Sequence, residues 1–299
     1  MNFKKITKED FNEIKKIVSA KYNNSESSLT SMYIWQHYYN SLFYIEDDVL
    51  YTIFDKNGTM PFEAFMPYGK EFDTEKSTDK LIVFFKENFN SNLVINLATE
   101  DYLSFLNTSG KYKFNYSEIR NSFDYVYNVS DLINLKGKKY HTKKNHFNAF
   151  TNKYNYNYVR YNSSMYDKCI EFCRTVIAER TKDNVRVFES EMESIRRAFE
   201  AYDELGLVCS LIVIDDEIVA LSIGEKLTEK YALIHVEKAS YEYRDAYPVI
   251  NKLTLEKEFS NFEFVNREED LGIQGLRKAK LSYRPCEMIK KYKIEFLND

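Results

Sequence analysis

At 299 residues the chain exceeds one average domain, and 44% apolar residues can fill two cores. A net charge of −4 excludes a generic polyanion binder, so phosphates must be met by a local patch. No run approaches the ~18–20 apolar residues of a membrane span, and MNFKKITKED lacks an apolar signal core. A soluble, cytoplasmic protein is expected. The 25 Tyr and 22 Phe read as half-buried structural aromatics. Of four cysteines, Cys169 and Cys173 lie one helical turn apart and none has C-x-x-C spacing. Reduced thiols and no metal site are expected.

In chain order, Thr7 and Asp10 precede an apolar stripe at Phe11, Ile14 and Val18, which predicts an opening helix. A helix over Ser28–Tyr39 follows. Strands are predicted at Leu42–Ile45, Val49–Phe54 and Phe62–Met66, the first two joined as a hairpin by a tight acidic turn. A helix at 78–88, a strand at Leu93–Leu97, a short helix at 99–107 and strands at Tyr112–Tyr116 and Phe123–Val129 complete the first half.

The second half repeats this order. A strand at Val159–Tyr161 leads to helices at 165–180 and 189–204, the latter with Met192, Ile195, Phe199 and Tyr202 at helical spacing. A meander follows at Leu207–Ile214, Ile218–Leu227 and Tyr231–Val236, turning at Asp215–Asp216. A helix at 248–259, a strand at 262–265 and a strand at Met288–Phe296 close the chain. Mixed strands with interspersed helices give α+β domains, expected at 1–130 and 131–299.

Three segments carry chemistry. Leu132–Tyr166 contains no acid but seven Lys or Arg, among them Lys143 and Lys144 beside Asn145. It reads as a phosphate-binding patch or as a solvated Lys-rich face. In IHVEKA, strand parity puts His235 and Glu237 on one face, as an acid–base pair or as the polar end of a strand. In NREEDLGIQGLRKAKLSYRP, the acids Glu268, Glu269 and Asp270 lead through Gly272 and Gly275 to Arg277, Lys278 and Lys280. A strand, a glycine-bearing turn and a basic helix start form an anion site, or a helix whose charges complement its dipole.

These motifs, with SESSLTSMYIW, LKGKKYHTKKNHFNAF and HVEKA in this order, resemble the bacterial phosphatidylglycerol lysyltransferase C-terminal family over essentially the whole chain. The resemblance implies two tandem GNAT-like acyltransferase domains related to the Fem-type aminoacyltransferases, with the active site in the second. Characterised relatives move an aminoacyl group from aminoacyl-tRNA to an amine or a lipid hydroxyl. Lipid-modifying members carry a large membrane-spanning region absent from this sequence, so a small-molecule or peptide acceptor is expected. Three carboxylates would repel a coenzyme A pyrophosphate and suit the ammonium of an aminoacyl ester.

The resulting expectation is an aminoacyl transferase. Lys280 and Arg277 stabilise the oxyanion, Glu268 or Asp270 holds the donor amine, and Glu237 backed by His235 is the base. Lys143, Lys144 and Asn145 hold phosphates of a tRNA acceptor end, and Asn266, Gly272 and Gly275 shape the substrate turn. The alternatives are a CoA-dependent N-acyltransferase using acyl-CoA, and a non-catalytic binding module of the same fold.

Overall fold

Val49–Phe54 is buried at every position, as a central strand must be, and pairs antiparallel with Leu42–Glu46. The two-residue connection Asp47–Asp48 has positive φ at both residues (52° and 57°), the hairpin geometry that Asp tolerates better than bulkier residues. Asp215–Asp216 (48° and 66°) makes the same turn between Val208–Ile214 and Glu217–Lys226. Each acidic pair is therefore a backbone device. The computed structural model describes residues 1–18, 21–181 and 184–297.

The chain forms two compact units. The first holds 1–124 with 269–274 and 288–299; the second holds 125–268 and 275–287. A cut into two consecutive pieces near residue 130 is thus not the arrangement found. The chain returns to the first unit twice, and the second return places its last strand in that unit's sheet. The strand order there is Leu42–Glu46, Val49–Phe54, Glu63–Ala64, Val94–Thr99, Lys291–Phe296 and Phe114–Glu118. Lys291–Phe296 runs antiparallel to both its neighbours.

That inserted strand brings a fully buried cation into the first unit. Lys291 Nζ donates to Asp124 Oδ1 at 2.7 Å and Ser25 Oγ at 2.9 Å, and pairs with Glu26. Burial alone would lower the ammonium pKa, but Asp124 and Glu26 outweigh it and raise it. Ser25 Oγ and N–H both donate to Asp124, at 2.9 and 2.8 Å. SESS in the sequence is thus the partner of a residue 266 positions away.

The second unit's sheet runs Glu287–Ile289, Asp124–Asn128, Phe264–Asn266, Tyr231–Ala239, Glu217–Lys226, Val208–Ile214 and Asn157–Arg160. Helix Ala246–Glu258 crosses between the two parallel strands Tyr231–Ala239 and Phe264–Asn266. Its Val249, Ile250 and Leu253 pack in one core with Ile212, Ala220 and Ala239. The parallel strands pair only from Tyr231 to Leu233, so beyond Leu233 the longer strand has no parallel partner among the described residues. Just past the end of this pairing, Arg267 meets Glu237 across the two strands.

Several predicted elements differ in extent. The helix expected over Ser28–Tyr39 breaks at Trp35 (ψ −2°) into Leu29–Ile34 and Gln36–Tyr39. The strand at Phe62–Met66 shortens to Glu63–Ala64, and Met288–Phe296 divides into Glu287–Ile289 and Lys291–Phe296. Among the described residues no helix is long and apolar enough to cross a membrane.

Replacing Lys291 by Met strands two buried carboxylates and should destabilise the protein by about 3–5 kcal/mol in urea unfolding. Adding Asp124→Asn should recover part of that loss. Equal stability of Lys291→Met and the native protein would contradict the buried-pair account.

Candidate active site

Strand Tyr231–Ala239 is irregular where the chemistry sits. Its register against Glu217–Lys226 slips between Ile234 and Val236, leaving His235 as the extra residue of a bulge. Gly224 lies opposite: a Cβ there would come within 2.7 Å of the Leu233 carbonyl oxygen and of Ile234 Cδ1. The bulge re-aims His235. Instead of backing Glu237, its buried ring lies between Glu268 (Nδ1 to Oε1, 2.9 Å) and Glu225 (Nε2 to Oε1, 3.0 Å). Carboxylates only accept, so both ring nitrogens carry protons. Burial favours the neutral ring, but the two hydrogen bonds outweigh it and push the pKa up to about 10. His235 is a structural imidazolium, so it cannot serve Glu237 as a base.

Glu237 finds other partners. Arg267 donates to Glu237 Oε2 through Nε at 3.1 Å and also through Nη2, and Asn251 Nδ2 donates to Oε1 at 2.9 Å. The guanidinium carbon lies 4.8 Å from the Tyr283 ring centroid and 5.5 Å from that of Tyr127. Arg267 Nη1 is buried and has no hydrogen-bond partner among the described residues. Lys143 Nζ sits 3.9 Å from the centroid of the same Tyr283 ring. Burial, and then the neighbouring Arg267 charge, lower its pKa to about 8. Two cations, one with an idle donor and one that gives up its proton more readily than an ordinary lysine, therefore share a single aromatic ring.

The other expected site residues have structural partners. Lys280 Nζ donates to the backbone carbonyls of Arg267 and Glu268 (3.0 Å for the latter), so it clamps the turn. Tyr127 Oη–H donates to the Lys280 carbonyl oxygen at 2.9 Å, tying that helix to the Arg267 cage. Glu268, at φ 54°, is held by its N–H to Asn266 Oδ1 (2.8 Å) as well as by His235. Asp270 is fully buried, accepting from Gly272 N–H at 2.8 Å and Arg120 Nη1 at 3.2 Å. Gly272 has φ 74° and lies so near Asn121 that a Cβ would meet its side chain at 2.8 Å. Gly275 has open space around it, and Arg277 is half-buried on helix Gln274–Ser282. Lys144 and Asn145 are exposed, because successive residues of helix His141–Lys153 point about 100° apart. Of the three, only Lys143 turns inward.

Sequence reasoning passed over Arg267, Tyr283, Tyr127 and Asn251. Arg267 carried a signal: it directly follows a short strand beside the Glu237 strand. Among the described residues no group of three or more His, Cys, Asp or Glu could hold a metal ion.

The family model "Phosphatidylglycerol lysyltransferase, C-terminal" matches residues 19–295. An uncharacterised protein of Mycoplasmoides gallisepticum, MYCGA3080, is 23% identical over 178 residues, which are 59% of this chain and 57% of that protein's length. A conserved protein of unknown function from Bacteroides thetaiotaomicron superposes over 100% of both chains at 29% identity, with a TM-score of 0.89. The C-terminal domain of a putative lysylphosphatidylglycerol synthetase from Agrobacterium fabrum covers 97% of this chain and 92% of its own, at 13% identity and a TM-score of 0.68. The fold is also that of FemX (TM-score 0.59, 11% identity, 100% and 98% covered) and of a tandem GNAT protein from the clavulanic acid biosynthesis pathway (0.54, 8%, 100% and 99%). The architecture is thus α+β and tandem GNAT-like.

The His235 site has a pH signature. Its folded pKa of about 10 lies above the ordinary 6.5, so its stabilisation is complete below pH 6.5 and lost as pH rises through 10. The stability gap between the native protein and His235→Gln should shrink by about 1.4 kcal/mol per pH unit across that window. Urea unfolding at pH 6, 7, 8 and 9 measures it; a gap independent of pH would contradict the imidazolium assignment.

Proposed function

The chain belongs to the phosphatidylglycerol lysyltransferase C-terminal family, and we propose that it transfers an aminoacyl group from an aminoacyl-tRNA-like ester to an amine acceptor. Family and fold together point to an aminoacyl-type transferase. The finer reading adds the donor, a small-molecule or peptide acceptor and a cytoplasmic setting. The observation that carries the transfer chemistry is Arg267 Nη1, a buried donor without a partner among the described residues, beside the perturbed amine of Lys143.

Attack of an amine on an ester carbonyl creates a negative oxygen, and preorganised donors aimed at that oxygen lower the barrier. Arg267 Nη1 is such a donor. The pair with Glu237 holds the guanidinium so that this nitrogen stays available, and Asn251 holds Glu237. Glu237 is therefore a positioning residue. Neutral Lys143 takes the proton from the attacking nitrogen and delivers it to the leaving ester oxygen as the C–O bond breaks. Products are an amide and the free alcohol. Lys280 supports the turn that presents Arg267.

Arg267→Lys keeps the charge but loses the fork, and should reduce kcat by about 10²–10³-fold. Lys143→Met should cost about 10²–10⁴-fold. The native rate should rise with pH through an apparent pKa near 8, and this rise should vanish in Lys143→Met. A screen of radiolabelled aminoacyl-tRNAs against acyl-CoA esters measures both. Full activity of either variant removes its role. The likeness to a tandem GNAT protein keeps acyl-CoA as the alternative donor. A melting temperature raised by millimolar acyl-CoA, but not by aminoacyl esters, would favour it.

A further inference from the structure

Several lysines of the second unit are matched by acids. Lys139 Nζ lies 3.0 Å from Asp131 Oδ2 and Lys252 Nζ 2.7 Å from Glu256 Oε2, and Lys238 is paired with Glu191. Lys143 is not. It is half-buried on helix His141–Lys153, with no carboxylate within salt-bridge distance among the described residues. Its Nζ meets the Tyr283 ring instead, 3.9 Å from the centroid, and the Arg267 guanidinium meets the same ring. Tyr283 is buried, and burial raises its phenol pKa, so it offers a face and no charge. A lysine desolvated against a ring and crowded by a second cation is held less firmly in its charged form than one beside an acid. Lys144, the next residue, is exposed and provides an internal reference.

We propose that Lys143 is a site of self-acylation: when no acceptor amine is bound, its Nζ attacks the ester carbonyl held at Arg267 Nη1. The inference rests on the transfer reading of the preceding section and adds a covalent state of that site. The N–C bond forms as the ester C–O bond breaks, and the proton lost by nitrogen goes to the departing oxygen. The products are an Nε-acyl-lysine and the free alcohol. The chemistry is that of transfer itself, because an acceptor amine and a lysine amine are the same functional group. What ordinarily keeps a lysine out of such a reaction is its proton. Burial and the Arg267 charge lower the Lys143 pKa to about 8. At pH 7 roughly a tenth of the molecules then carry the free amine, against fewer than about one in a thousand for an ordinary lysine. Desolvation and a neighbouring cation are the two devices that turn a lysine into a nucleophile. Acylation replaces the titrating amine by a neutral amide, which no longer takes a proton, so the modified protein does not transfer. A bound acceptor protects the site that uses it.

The test is peptide mass spectrometry of the full chain after incubation at neutral pH with the cyanomethyl ester of alanine and no added amine. Alanine should appear on Lys143 about tenfold faster than on Lys144, or faster still. Arg267→Lys should slow labelling of Lys143 by about 10²-fold and leave that of Lys144 unchanged. The chain unfolded in urea should label both lysines alike, because the preference belongs to the fold. Equal labelling of Lys143 and Lys144 in the native protein would overturn the proposal, and this comparison needs no variant to fold. Undiminished labelling of Lys143 in Arg267→Lys would overturn it as well. The transfer reading is tested apart, by amide formation on an added amine. Transfer without labelling of Lys143 sinks self-acylation and leaves transfer standing; labelling of Lys143 without transfer to any added amine does the reverse.

Discussion

The second unit's site depends on one buried ion pair with an imbalance. Glu237 accepts from two of the three guanidinium nitrogens of Arg267 and leaves the third with no partner. A buried pair is weak evidence for stability, because desolvation offsets much of its attraction. An idle buried donor is more informative, since leaving one unmade costs about 1–3 kcal/mol. The surroundings are built to hold it. Asn251 fixes the carboxylate, two tyrosine rings flank the guanidinium, and Lys280 pins the backbone at Arg267. The same arrangement sets Lys143, whose amine is pushed toward neutrality by burial and by the Arg267 charge.

The strand geometry explains how these groups come together. Parallel pairing between Tyr231–Leu233 and Phe264–Asn266 ends where Glu237 and Arg267 begin to matter. The bulge at His235 acts at the same point, directing one charged side chain into the Glu225–Glu268 pair and leaving Glu237 to Arg267. The acids that look like a flaw in an anion site are internal: Glu268 neutralises an imidazolium, and Asp270 orders its own turn and meets Arg120.

Much of the architecture was legible from local pattern. Both Asp-Asp turns, the fully apolar strand Val49–Phe54 and the stripe of Met192, Ile195 and Phe199 follow from residue type and spacing alone. The return of Lys291–Phe296 to the first unit was not legible, because nothing near Lys291 announces Ser25 and Asp124 as partners. The site was legible as segments and not as contacts. LKGKKYH, HVEKA and NREED all contribute, but strand parity assumed a regular strand, and one inserted residue defeats that assumption at His235. Lys280 and Arg267 carry the same charge in the sequence. Only three-dimensional placement separates the one that holds backbone carbonyls from the one with a donor to offer.

The central claim is that Arg267 Nη1 receives the developing oxyanion. A crystal structure with a phosphonate analogue of an aminoacyl ester tests it most directly. A phosphonate oxygen should lie about 2.7–3.1 Å from Arg267 Nη1, with Lys143 Nζ on the side of the attacking amine. An analogue bound elsewhere, with Nη1 still unpartnered or turned to another protein group, would contradict the account.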